Sequence, residues 1–133
     1  MNMEKAKKVP SLDQWLKAAK KDPKASQAGM FLAHNGVVRE TPKAMVREGV
    51  DDGSHVTGMH FSYDAAKVDA AVAEAGKMPG ICYVKAWLNE GHLAVGDDIM
   101  LILIGGDIRP NVINALQDLI TKIKNECVTE IEE

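Results

Sequence analysis

The chain has 133 residues, a net charge of −3, 46% hydrophobic and 26% charged residues; this is the size and apolar content of one folded domain, not of a disordered segment or of two domains. No run reaches the roughly 18 apolar residues of a membrane span, the start lacks the apolar segment of a secretory signal, and a negative balance with 5% aromatics offers nucleic acid neither field nor stacking platform. A cytoplasmic protein with no membrane or nucleic-acid partner is expected, with residues 1–133 as a single domain.

Residues 1–10 read as a flexible N-terminus. Ser11 is a good N-cap, and Leu12, Trp15, Leu16 and Ala19 share one face, so the spacing predicts a helix from Ser11 to Lys20 that Asp22-Pro23 stops. Ala28 to Gly36 is a short apolar run closed by Asn35-Gly36, the pattern of a strand entering a turn. The chain is then mixed as far as His55, with Thr41-Pro42 and an Asp51-Asp52-Gly53-Ser54 cluster, and residues 40–55 are expected as a mobile loop.

Val56 to Tyr63 roughly alternates and reads as a second strand. Asp64 opens an alanine-rich helix in which Ala65, Val68, Ala71, Val72 and Ala75 recur at helical spacing, ended by Gly76 and Pro79-Gly80. Ile81 to Leu88 and the pieces flanking the turns Asn89-Glu90-Gly91 and Gly96-Asp97 are strand-like. Ile99 to Ile104 is apolar without alternation, as a strand buried on both faces would be. Gly105-Gly106-Asp107-Ile108-Arg109-Pro110 leads into a last helix, with proline at a favoured first position. There Val112, Ile113, Leu116, Leu119, Ile120 and Ile123 are expected to form one apolar stripe. Helix, strand, strand, helix, three strands, helix predicts an α+β fold, a two-layer α/β sandwich with helices packed on a mostly antiparallel sheet.

His34, His55, His60 and His92 fall in different elements without metal-ligand spacing, so no metal site is expected, and no motif calls for a cofactor. Cys82 and Cys127 form no CxxC pair and read as buried or idle thiols. The Gly105-Gly106 exit delivers the N–H groups of a helix start, a common anion-binding arrangement. Arg109 sits where the helix dipole disfavours a cation and needs a compensating anion, either a ligand or Asp107. Lys124 borders the apolar stripe, where a lysine can lay its stem on the core and aim its ammonium into a cleft, while Lys122 points further toward water. Arg39 follows the Asn35-Gly36 turn.

The order of elements, with Gly36-Val37-Val38-Arg39, Met59-His60-Phe61-Ser62-Tyr63-Asp64, Gly91-His92-Leu93-Ala94-Val95-Gly96-Asp97 and the Arg109 helix, resembles the large subunit of molybdopterin synthase, the MoaE family. The resemblance runs from about residue 11 to 133, and its specific pieces are similar to the family patterns F-x-G-x-V-R and G-x-L-x-x-G-D. It implies an enzyme that inserts two sulfurs into a cyclic pyranopterin monophosphate. The sulfur arrives as a thiocarboxylate on the C-terminal Gly-Gly of a ubiquitin-like small subunit of the MoaD type, and the large subunits form a homodimer at the centre of a heterotetramer. On this resemblance Lys124 corresponds to a catalytic lysine, and Val37, Val38, Arg39, Arg109 and Glu133 to substrate-binding positions. Ile108 stands where the family has the histidine of a His-Arg pair, and Ile131 where it has the second lysine, in W-K-x-E. The same likeness also suits a non-catalytic relative that binds the sulfur carrier or a pterin.

Overall fold

A computed structural model describes residues 7–49 and 53–133; the rest of the expected flexible N-terminus, 1–6, and part of the expected loop, 50–52, lie outside the described residues. In chain order the elements are α1 (Leu12–Ala19), β1 (Met30–Val37), α2 (Lys43–Glu48), β2 (Gly58–Tyr63), α3 (Ala65–Gly76), β3 (Ile81–Leu88), β4 (Gly91–Ala94), β5 (Asp98–Gly106), α4 (Arg109–Lys122), a π-helical turn (Ile123–Cys127) and β6 (Val128–Glu132). Caps place two of the helices: Ser11 Oγ accepts from the Gln14 N–H at 3.2 Å, and Asp64 Oδ1 accepts from the Lys67 N–H at 3.1 Å.

The strands form two antiparallel sheets, β1-β5-β3 and β4-β2-β6. The α+β class and antiparallel pairing expected from the sequence are therefore present, with the strands divided between two sheets. β5 explains its own lack of alternation. Met100, Ile102 and Ile104 join the main core with Phe61, Val112, Leu116 and Ile123, whereas Leu101 and Leu103 on the opposite face meet Trp15 and Ala19 of α1.

Three local expectations are corrected. Residues 40–55 hold α2, which follows Pro42, uses the helix formers Lys43 to Glu48 and stops at Gly49 with φ +69°. In α4, Val112, Ala115, Leu116 and Leu119 are buried, but Ile113 is 38% exposed, because one residue of offset turns it about 100° from Val112. β6 is an additional strand. It pairs with β2 through Met59↔Glu132, His60↔Ile131 and Phe61↔Glu130, so its glutamates share a face with buried Met59 and Phe61 while Ile131 points outward with His60. A strand with its charges on the inner face lacks the usual signal.

Candidate functional site

At the end of β1 a register shift between Gly36 and Val37 carries the chain off the sheet and alongside the β4–β5 turn. The Val38 N–H donates to Asp97 O at 3.0 Å, and the Gly96 N–H donates to Val38 O at 2.8 Å. Val38 is itself 2% exposed, so with both backbone groups taken it stands behind Arg39 as support and offers a ligand no polar contact, while Val37 is exposed. Arg39 Nε donates to Thr41 O at 2.9 Å, which turns the side chain back over its own loop.

The C-terminal strand reaches the same place. The Val56 N–H donates to Glu40 O at 2.7 Å, and the next residue, Thr57, donates its N–H to Glu133 O at 2.8 Å. Arg39 and Glu133 thus flank one short segment. Glu133 Oε1 lies 3.4 Å from Nδ1 of His92, whose ring stacks at a tilt on His60 with centroids 4.7 Å apart. Gly58 permits this approach, since a Cβ there would meet Leu93 O at 2.7 Å.

Lys43, at the start of α2, docks on the inner face of β6. Its ammonium contacts Glu130 Oε1 at 2.6 Å, its N–H donates to Glu132 Oε2 at 3.1 Å, and the Glu130 side chain is only 6% exposed. A nearly buried carboxylate needs such a partner. Sequence reasoning missed Lys43 because nothing local in the sequence marks its partners on β6.

Lys124 belongs to the π-helical turn, not to the α-helix in which it was expected, and is half-buried there. Its charge acts on His34 of β1: burial first, and the Lys124 ammonium second, hold the imidazole pKa below its ordinary value. Lys122 does not simply point to water, since it pairs with Glu74 of α3 at 2.6 Å. Both thiols are pushed up, chiefly by burial, and so resist forming the thiolate that nucleophilic chemistry requires.

Arg109 lies elsewhere. It begins α4, which spans about 20 Å to Lys122, and Lys124 lies past that end in the π-helical turn. Asp107 is not its counter-ion among the described residues: Asp107 Oδ1 accepts from the Asn111 side chain at 2.9 Å and from the Ile108 N–H at 2.6 Å, bonds that hold its carboxyl below the usual range. Ile108 and Ile131, which the resemblance expects to replace a histidine and a lysine, are 57% and 54% exposed.

Cavities of about 400 Å³ run along α3 and α4, lined by residues such as Ala71, Glu74, Met78, Asp118 and Lys122. They include none of Arg39, Arg109, Lys124 or Glu133. The Glu74–Lys122 ion pair closes them across a helix–helix groove, which carries no converging chemistry. Among the described residues no group of three or more His, Cys, Asp or Glu side chains is placed to hold a metal ion, and no helix is long and apolar enough to cross a membrane.

The family profile described as MoaE protein matches residues 6–126, the greater part of the chain, and ends before Ile131 and Glu133. No curated protein matches it. Among solved structures, molybdopterin synthase from Staphylococcus aureus is 22% identical, with a TM-score of 0.63 over 80% of this chain and 77% of that one. The molybdopterin biosynthesis MoaE protein from Burkholderia ambifaria is 17% identical, with a TM-score of 0.69 over 92% and 79%. A complex of subunits 1 and 2 of molybdopterin-converting factor from Helicobacter pylori contains a chain 18% identical, with a TM-score of 0.63 over 90% and 76%. At these identities the structural likeness is one of fold.

Proposed function

The chain belongs to the MoaE family, whose place is molybdenum cofactor biosynthesis, and on that premise we propose that it is a molybdopterin synthase large subunit. Its reaction is sulfur transfer from the thiocarboxylated tail of a MoaD-type small subunit to cyclic pyranopterin monophosphate, forming the dithiolene. The observation that carries this reading is the half-buried Lys124, whose charge reaches His34 of β1, the strand that runs on into Arg39, with Glu133 joined to Glu40, the next residue after Arg39, through the segment at Val56 and Thr57. Arg39 suits the phosphate, since a guanidinium binds oxyanions through paired donors. Lys124 suits proton transfer and the charge that develops when a tail acyl carbon turns tetrahedral.

Arg109 enters this site from a second copy. In one chain α4 alone, from Arg109 to Lys122, spans about 20 Å, and Lys124 lies past its end in the π-helical turn, so the two cations are farther apart than their side chains reach. A homodimer in which the α4 start of one copy meets the Arg39 and Lys124 region of the other brings the two cations to one substrate.

The exposure of Ile108 and Ile131 favours a second reading, a non-catalytic relative that keeps the carrier or pterin and lacks the transfer. An anaerobic single-turnover assay with thiocarboxylated small subunit and cyclic precursor, beside a working synthase, separates them. Product from the wild-type chain supports the sulfurtransferase. No product with the small subunit still bound supports the binding protein, and Ile108→His with Ile131→Lys then gains activity if those positions are the cause.

A further inference from the structure

Arg39 is exposed, so no packed core holds its side chain; what fixes it is the turn from Arg39 to Lys43, where Arg39 Nε donates to Thr41 O at 2.9 Å. That turn is tied down on both sides. On one, the Val56 N–H donates to Glu40 O at 2.7 Å. On the other, Lys43 grips β6 twice: its ammonium contacts Glu130 Oε1 at 2.6 Å, and its backbone N–H donates to Glu132 Oε2 at 3.1 Å. The Glu130 side chain is 6% exposed, and a carboxylate this buried is costly to the fold unless its cation stays with it. A turn that served only to lead from β1 towards β2 has no need of such a pair. An arginine does: left on a free loop, it must be ordered each time it binds and loses rotamer freedom in doing so.

We propose that Lys43 and Glu130 are a positioning pair for Arg39: their ion pair anchors the 39–43 turn on β6 and so presents the guanidinium, already ordered, to the anion it binds. The inference rests on the reading that Arg39 takes the phosphate of the precursor. Thr41 O occupies Arg39 Nε, which leaves the terminal nitrogens Nη1 and Nη2 as the paired donors for an oxyanion. Pro42 lies between the carbonyl that holds Arg39 and the lysine that holds β6, and its ring fixes φ there, so the link between the two is stiff. The Lys43 ammonium is itself taken up by a nearly buried acid. Lys43 is therefore a positioning residue and not a ligand of the phosphate.

The test compares the full chain with the double variant Lys43→Met and Glu130→Gln, which removes one cation and one anion and so leaves the net charge, and Arg39, unchanged. NMR gives two readouts, the Nε–H resonance of Arg39 and the dissociation constant for inorganic phosphate, each taken below the thermal transition of the variant so that loss of fold does not enter. In the wild-type chain the Arg39 Nε–H is resolved and protected from exchange by its bond to Thr41 O. In the double variant that resonance broadens away, and phosphate binding weakens about three- to tenfold, the cost of ordering one released long side chain on binding. Lys43→Arg, which keeps the ion pair, retains both. An Arg39 resonance already broadened in the wild type, or unchanged in the double variant, overturns the positioning role; weakened binding beside an unchanged resonance makes Lys43 a ligand in its own right. If the wild-type chain binds no phosphate, or Arg39→Ala binds it equally well, the reading of Arg39 as the phosphate ligand falls, while the Arg39 resonance still decides whether Lys43 and Glu130 position it.

Discussion

Mixing two inactive variants tests the shared site most directly. Arg109→Ala and Lys124→Ala each remove a cation, and in a homodimer of either variant both sites are damaged. After subunit exchange half of the dimers are mixed. If each site takes Arg109 from one copy and Lys124 from the other, a mixed dimer holds one intact site and one doubly damaged site. Activity then recovers to about a quarter of the wild-type value. The basis is the helix itself: α4 runs unbroken from Arg109 to Lys122, with Pro110 at its start where proline is tolerated, spans about 20 Å, and has Lys124 past its far end in the π-helical turn. The assay is dithiolene formation by the exchanged mixture, with exchange verified by native mass spectrometry on tagged copies. If Arg109 and Lys124 of the same chain served the same site, every mixed dimer would carry one damage in each site and no activity would return. Absence of recovery in a mixture shown to contain mixed dimers refutes the shared site.

Three further outcomes follow from the packing. Glu130→Ala leaves the Lys43 ammonium against the inner face of β6 without its acid and lowers stability by about 1–2 kcal/mol; this is less than the 3–5 of a fully buried pair, because the Lys43 side chain is 37% exposed. The urea midpoint moves down with an unchanged slope. Gly29→Ala drives a methyl into the Asp107 carbonyl, which the backbone cannot yield cheaply, and costs about 1–3 kcal/mol, read as a lowered Tm. His34 binds its proton less readily folded than unfolded, so its contribution is present above the unfolded histidine range and is lost as pH falls through the folded value. Stability therefore drops on acidification below about pH 6.5. His34→Phe flattens that slope in Tm against pH, and an unchanged slope removes His34 as its cause.

Elements whose signals are local were legible in the sequence. Ser11 and Asp64 mark helix starts, and the run Ile99 to Ile104 marks a doubly covered strand because both α1 and the main core press on it. The division into two sheets was not legible, since β2 chooses β4 and β6 through pairings that no local pattern encodes. β6 was hidden by its glutamates, since the nearly buried Glu130 depends on Lys43 arriving from another part of the chain and Glu132 stays exposed. Arg39 and Lys124 could be named from motif and helical phase. The setting of His34 was invisible, because its Nε2 loses water and hydrogen-bond partners only when the fold has closed around it.

The charge balance ties these observations together. At the Arg39 end Lys43 spends its charge on Glu130, with Glu132 at the end of the same strand and Glu133 just after it, so the cations that one copy offers the proposed site are Arg39 and Lys124, neither ion-paired among the described residues. Two cations beside two carboxylates make a weak trap for a phosphate and an anionic tail together. The exposed Ile108 and Ile131 add nothing to it, and with more than half of their surface open they gain little from packing either. A site that holds two anionic reactants must draw further donors from elsewhere. In the proposed homodimer, Arg109 of a second copy would bring a full charge. On this balance Arg109→Ala weakens precursor binding by a larger factor at low ionic strength than at high, where salt already screens the charge that is removed. A loss of affinity in Arg109→Ala that is the same at low and high salt would refute a role for its charge.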